Sequence, residues 1–333
     1  MKKLIAIVLS IVMLISLLSL AGCSKAEPLK IGLGIVASYG EKANAKDDTN
    51  GKVDFSSTYA AVLLDSEGKI VKCAIDSGDA TLSFNSKGEN VAVSEFKTKY
   101  ELGNNYNMVA YGGAKKEWFE QVDAFTNLVK GKTLQDVKAL AATDGKGNDE
   151  VVNAGCTIII ADFIKALEKA VNNAVESNAI GENSIQLGVV ATNSGQKATA
   201  EAIGSNTMDI TVSAAAIDEN SKVTAIKTDS FTAAAQFDAK GKFSENASTT
   251  IATKIELGDN YGMKTYGQDL NGDGKVLEWF EQAAAFDAAC VGKNADEIAA
   301  LANDKGYGVD AVQTAGCTIN ISDIVKAATK AAK

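Results

Sequence analysis

Residues 30–37, 57–64, 69–76 and 80–85 carry short runs of Val, Ile, Leu and Ala, separated by turn clusters such as DSEGK at 65–69 and NSKGEN at 85–90. That alternation of apolar runs and turn residues predicts strands of an antiparallel sheet. The period then changes. Trp118, Val122, Phe125 and Val129 stand four, three and four residues apart, one face of a helix over 117–129. Leu134, Val137 and Leu140 mark a second helix from 133 to 142. A short apolar strand is expected at 156–160, then a last helix from Asp162 to about Val175 with Phe163, Ala166, Leu167 and Ala170 facing inward. Strands first and helices later is an α+β order, here an antiparallel sheet with helices packed on it.

The same order then repeats. LGIVA at 33–37 answers LGVVA at 187–191, ELGNNY at 101–106 answers ELGDNY at 256–261, WFEQ stands at 118–121 and 279–282, and AGCTI at 154–158 and 315–319. Solenoid repeats recur every 20 to 50 residues or so, so a period this long marks duplication of a whole module. The offset between copies is 155 at the ELG motif and 161 from the tryptophan onward, which places six extra residues of the second copy between Tyr266 and Trp279. Two homologous tandem modules are therefore expected at 29–178 and 179–333, each of ordinary domain size.

The first 22 residues read as an address. Lys2 and Lys3 precede an uncharged run from Leu4 to Ala21, closed by LAGC at 20–23, the pattern of a secretory signal peptide. The LAGC ending resembles the lipobox of bacterial lipoproteins. That resemblance implies diacylation of Cys23, with residues 23–28 forming the lipidated terminus and tether. The run is also near the length that spans a bilayer, and an uncleaved anchor would equally leave both modules outside the cytoplasm. The expected location is extracytoplasmic, with the lipid holding the chain on the cell membrane.

Composition then removes whole classes of chemistry. The 33 basic residues are all lysine, and the chain has no histidine. No imidazole is present for a Ser/His or Cys/His pair or for a metal, and no guanidinium fork is present for bidentate phosphate binding. Formal charge is −9, and −11 once residues 1–22 are removed, which disfavours nucleic acid as a partner and suits divalent cations. Of the mature cysteines, Cys156 and Cys317 are equivalent whereas Cys73 and Cys290 are not. Four small packed thiols are thus expected rather than a disulfide framework. No catalytic residues are assigned.

The DSEGKIVK hairpin, the VKGKT turn at 129–133 and the AGCT motif opening the last helix together resemble the FMN-binding domain of bacterial extracytoplasmic flavoproteins. In that family an Asp-x-x-Ser/Thr-Gly-Ala-Thr motif joins FMN through its phosphate to the threonine. The resemblance implies Thr157 and Thr318 at the flavin position, with Gly155 and Gly316 before them. Val151 and Val312 stand where the family has its aspartate. Tyr106, Tyr111 and Trp118, matched by Tyr261, Tyr266 and Trp279, could stack on a planar ring or form a shared aromatic core.

The insertion in the second copy, QDLNGDGKVLEW, suggests a different ligand. Asp269, Asn271 and Asp273 alternate ahead of Gly274 as in the first half of an EF-hand loop, with the Lys275 carbonyl and Glu278 available to close a shortened shell around Ca2+. Two functional readings stand at this point. One is a non-catalytic cell-surface lipoprotein binding a small molecule or an envelope partner. The other is a flavin-carrying lipoprotein for electron transfer, in which the cofactor supplies the chemistry.

Overall fold

The computed structural model describes residues 27–244, 249–266, 274 and 276–333. The segment expected to be a signal peptide, residues 1–22, and Cys23 lie outside those residues. The first half opens with three long antiparallel strands, β1 (Lys30–Ala43), β2 (Gly51–Leu64) and β3 (Ile70–Phe84). Then come the one-turn helix α1 (Lys99–Leu102) with a 3-10 turn at Gly103–Tyr106, α2 (Trp118–Leu128), α3 (Leu134–Lys138), α4 (Asp149–Ala154) and α5 (Ala161–Asn172). After the short β4 (Val175–Glu176), the second half repeats the order with β5 (Ser184–Gln196), β6 (Gly204–Ile217), β7 (Val223–Phe237) and a two-residue β8 (Thr250–Ile251). Its helices are α6 (Lys254–Leu257), a 3-10 turn at Gly258–Tyr261, α7 (Met263–Tyr266), α8 (Trp279–Cys290), α9 (Ala295–Ala299), α10 (Asp310–Thr314) and α11 (Ser322–Ala331). The fold is α+β. No helix among the described residues is long and apolar enough to cross a membrane.

The expected strands at 69–76 and 80–85 are one continuous strand, because Ser77–Ala80 keep their pairing with Phe55–Thr58. The strand expected at 156–160 is instead an irregular segment carrying one isolated bridge, between Lys146 and Ile159. The second helix ends at Lys138, short of 142, and the sequence reading missed α4 altogether.

Burial along the central strands explains the architecture. Every residue of β2 from Ser57 to Leu64 is buried, as expected for a strand covered on both faces. Successive side chains point to opposite faces, and they enter different cores. Val53, Phe55, Tyr59 and Ala61 face the second sheet, whereas Ala60, Val62 and Leu64 face the helices of their own half. In β6, Met208, Ile210, Val212 and Ala214 face the first sheet, while Ala215 and Ile217 face α8 and α11. The result is four layers, helices–sheet–sheet–helices, and the two halves share the core between their sheets.

The halves meet about an approximate two-fold axis. The equivalent residues Phe84 and Phe237 stack on each other, with centroids 4.4 Å apart and planes 12° apart. Lys169 of α5 pairs with Glu256 of the other half at 2.5 Å, and the equivalent Lys330 of α11 pairs with Glu101. β8 also adds to the opposite sheet, pairing Ile251 with Ala37 and Thr250 with Ser38. The repeated LG of the first strand serves close approach: a Cβ at Gly34 would lie 2.0 Å from the Ala166 carbonyl oxygen, and one at Gly188 would lie 2.0 Å from that of Ala327. Glycine there lets each last helix lie against its sheet.

Candidate functional site

The twice-written AGCT turn is first a backbone device. Gly155 follows α4 at φ +103° and Gly316 follows α10 at φ +106°, conformations that favour glycine. The next amide, Cys156 or Cys317, bonds back to the Val151 or Val312 carbonyl at 3.1 Å. Thr157 then donates through both its amide and its hydroxyl to Gln121 Oε1, each at 2.9 Å. Thr318 does the same to Gln282 at 2.8 and 3.1 Å. Each buried glutamine uses its Nε2 to reach the chain just before its own helix, at Lys116 O and Leu277 O. WFEQ and AGCT thus form one hydrogen-bonded unit per half.

This geometry bears on flavin attachment. Thr157 is exposed and Thr318 half-exposed, so each hydroxyl can be reached. Val151 and Val312, at the family's aspartate position, are fully buried among apolar neighbours, where a carboxylate would be costly. The amides of Ile160 and Ala161 are both taken by the Gly145 carbonyl, and that of Ile321 by Gly306. The start of each last helix therefore does not offer those amides to a phosphate.

The aromatic residues do not form an open platform. Trp118 and Trp279 are buried, and Trp118 meets Phe163 edge-on at 5.9 Å. Lys99 Nζ lies 5.2 Å from the Tyr106 ring centroid and 6.0 Å from Trp118, and Lys254 lies 5.5 Å from Tyr261 and 5.1 Å from Trp279. A lysine thus sits over the tyrosine–tryptophan pair in each half. Tyr111, 88% exposed, stands apart on its loop. Tyr266 closes α7, and its side chain lies outside the described residues.

Of the expected calcium ligands, Asp269, Asn271, Asp273 and Lys275 lie outside the described residues. Glu278 is buried at the start of α8, where it accepts the Met263 and Lys264 amides at 2.9 and 3.0 Å. Glu117, in the half without the insertion, accepts Met108 and Val109 in the same way at 2.9 and 3.1 Å. Glu278 thus has a loop-anchoring task inherited by both copies. Among the described residues no group of three or more Cys, Asp or Glu is placed to hold a metal. The four described cysteines are free thiols.

What the fold creates, and the sequence did not announce, is a pair of equivalent clefts along the outer edges of β3 and β7. Cleft 1, about 370 Å³, lies between β3, α2 and the start of β5. Cleft 2, about 410 Å³, lies between β7, α8 and the β1–β4 edge. Each takes two walls from one half and one from the other. Beside them sit two equivalent buried carboxylates that sequence reasoning overlooked. Asp76 accepts the Tyr100 and Ser77 amides at 3.1 and 2.7 Å, and Asp229 accepts Ile255 and Ser230 at the same distances. Burial pushes both carboxyls up to about 6. The signal was available, since each aligned hairpin segment ends in this aspartate.

The polar linings have diverged. Cleft 1 presents Tyr100, whose hydroxyl donates to Asp123 at 3.0 Å, together with Cys73 and Thr126. Cleft 2 has Ala284 in place of Asp123, Asp287 in place of Thr126 and Lys227 in place of Ala74. Asp287 is 9% exposed, and its two oxygens accept the Thr228 amide at 2.9 Å and hydroxyl at 2.7 Å. Burial again pushes that carboxyl up to about 6.

No family model matches the chain, and no solved structure matches it. Over 128 residues it is 32% identical to the chlorophenol reductase of Desulfitobacterium hafniense, covering 34% of this chain and 38% of that protein. The chain thus spans well under half the length of that relative.

Proposed function

We propose that this protein is a non-catalytic ligand-binding lipoprotein of the cell envelope, held to the membrane through Cys23, whose ligand sites are the two clefts at the seam between its halves. The observation that carries the reading is the repetition of one cleft twice, each of a size that accepts a small molecule. The AGCT and WFEQ motifs then serve as scaffold that fixes the helix walls. The test is native mass spectrometry of the whole chain purified in detergent from its own membranes. Small-molecule adducts are expected, and they should diminish in Ala288→Trp, where an exposed helix position would fill cleft 2. An adduct pattern unchanged by Ala288→Trp and by Asp123→Trp, at an exposed helix position lining cleft 1, removes the clefts as sites.

A second reading, a flavin-carrying electron-transfer protein, is favoured by one observation, the partial likeness to a protein named as a reductase. It predicts a flavin-sized mass increment lost in Thr157→Ala and Thr318→Ala. The buried valines at the aspartate position weigh against it. Calcium in the second-half insertion is a separate proposal. It is dropped if added Ca2+ leaves the thermal midpoint unchanged, because binding to the native state alone must raise it.

A further inference from the structure

We infer that cleft 2 binds a small organic monoanion with an apolar body, held by Lys227, and that cleft 1 does not share this ligand. The inference rests on reading the clefts as ligand sites and names the chemistry of one of them.

The walls of cleft 2 are largely apolar. Ile226, Ile255, Phe280 and Val291 face the space, with Ala284 and Ala288 leaving it open on the α8 side. Its polar groups are mostly committed elsewhere. Asp287 is held by Thr228 through both oxygens. Glu176 pairs with Lys30 at 3.0 Å, the Thr224 hydroxyl donates to Asn183 at 2.8 Å, and the Ser177 hydroxyl donates to the Leu29 carbonyl.

Lys227 is the exception. Its ammonium donates to the Asn173 carbonyl at 2.6 Å, a neutral partner across the seam, and it forms no ion pair among the described residues. Burial holds its pKa below the usual lysine value, partly offset by the charges of Asp287 and Asp229. A half-buried ammonium with spare donors and no contacting counter-ion gains most from an anion that also removes apolar wall from water. The anion must be small and singly charged, because Asp287 and Asp229 repel further negative charge. Cleft 1 has Ala74 at the lysine position and no lysine in its lining, so the same ligand would find no cation there.

Isothermal titration of the whole chain with octanoate and benzoate, against the neutral octanol and benzamide, tests this. At least one acid is expected to bind one site and to exceed its neutral counterpart. Lys227→Met should weaken the acid by about tenfold or more while leaving the neutral probe unchanged, since a charge-assisted hydrogen bond is lost. The unchanged neutral probe also shows that the variant is folded. Acid binding that survives Lys227→Met, or a neutral probe that binds as tightly as its acid, overturns the anion assignment and leaves the cleft reading intact. Binding of neither probe, or binding indifferent to Ala288→Trp, overturns the site itself.

Discussion

Cleft 1 and cleft 2 are built from equivalent strands and helices, yet among the described residues one presents a tyrosine paired with an aspartate and no cation, and the other a lysine that no carboxylate contacts. The AGCT–WFEQ units of the two halves, by contrast, match in residue identity and in hydrogen bonding. The difference separates two kinds of constraint. A turn that requires glycine at positive φ and a glutamine that must satisfy two partners leaves little freedom. A cleft wall at the edge of a strand can change without loss of fold, and the two copies changed it differently.

The shared core is the strongest place to break this comparison. Phe231 is fully buried between the sheets and meets Phe55 edge-on at 6.4 Å. Phe231→Ala is expected to cost about 3–5 kcal/mol. Because the core belongs to both halves, the loss should be felt in both. The chain has two tryptophans, one per half. In Trp118→Phe and in Trp279→Phe, where fluorescence reports the remaining half, the fluorescence and far-UV circular dichroism transitions in urea should coincide within each variant. Two separate transitions would show that the halves fold independently, against the shared core.

Next in size is the buried glutamate at the start of the tryptophan helix. Glu117→Ala and Glu278→Ala each leave two backbone amides without an acceptor, so a loss of roughly 2–4 kcal/mol is expected in either half. Equal effects would mark Glu278 as a structural residue. A Glu278→Ala effect that appears only with Ca2+ present would instead favour the metal role. Smaller still is the glutamine tie. Gln121→Ala and Gln282→Ala should each cost about 1–2 kcal/mol and raise amide exchange at Thr157 or Thr318.

Three buried carboxyls set a pH dependence of the whole fold, one from the first half and two from the second. Asp76 lies in the first half, and Asp229 and Asp287 lie in the second, each raised from 3.8 to about 6. A carboxyl raised on folding binds its proton more tightly in the native state. Its contribution is therefore full below about pH 4 and lost as pH rises through about 6. Denaturant stability should rise as pH falls from 7 to 5. Carboxyls held low in the native state, such as Glu101 and Glu281, act in a lower window. Asp287→Asn should remove roughly one third of that slope. A stability that falls steadily between pH 7 and 5 contradicts the burial of all three.

The duplication, the long helix at 118–128 and the last helix were legible in the sequence because apolar spacing sets which face of an element is buried. The long β3 was not, since Ser77, Gly78 and Asp79 look like a turn and are held extended by pairing with β2. The aspartates at 76 and 229 were visible as matching letters, but their burial was not. Nothing in one dimension places residue 100 against residue 76.

The amino-acid sequence by itself determined the two equivalent halves and the α+β order within each, because these follow from the repeat of whole motifs and from the periodicity of apolar positions. Only the tertiary structure decided that the two sheets face each other, that a lysine of one half reaches a carbonyl of the other, and that the clefts lie at their seam. Those features arise between segments more than 50 residues apart, as Asn173 and Lys227 are, and are set by which apolar faces cover one another rather than by any local pattern.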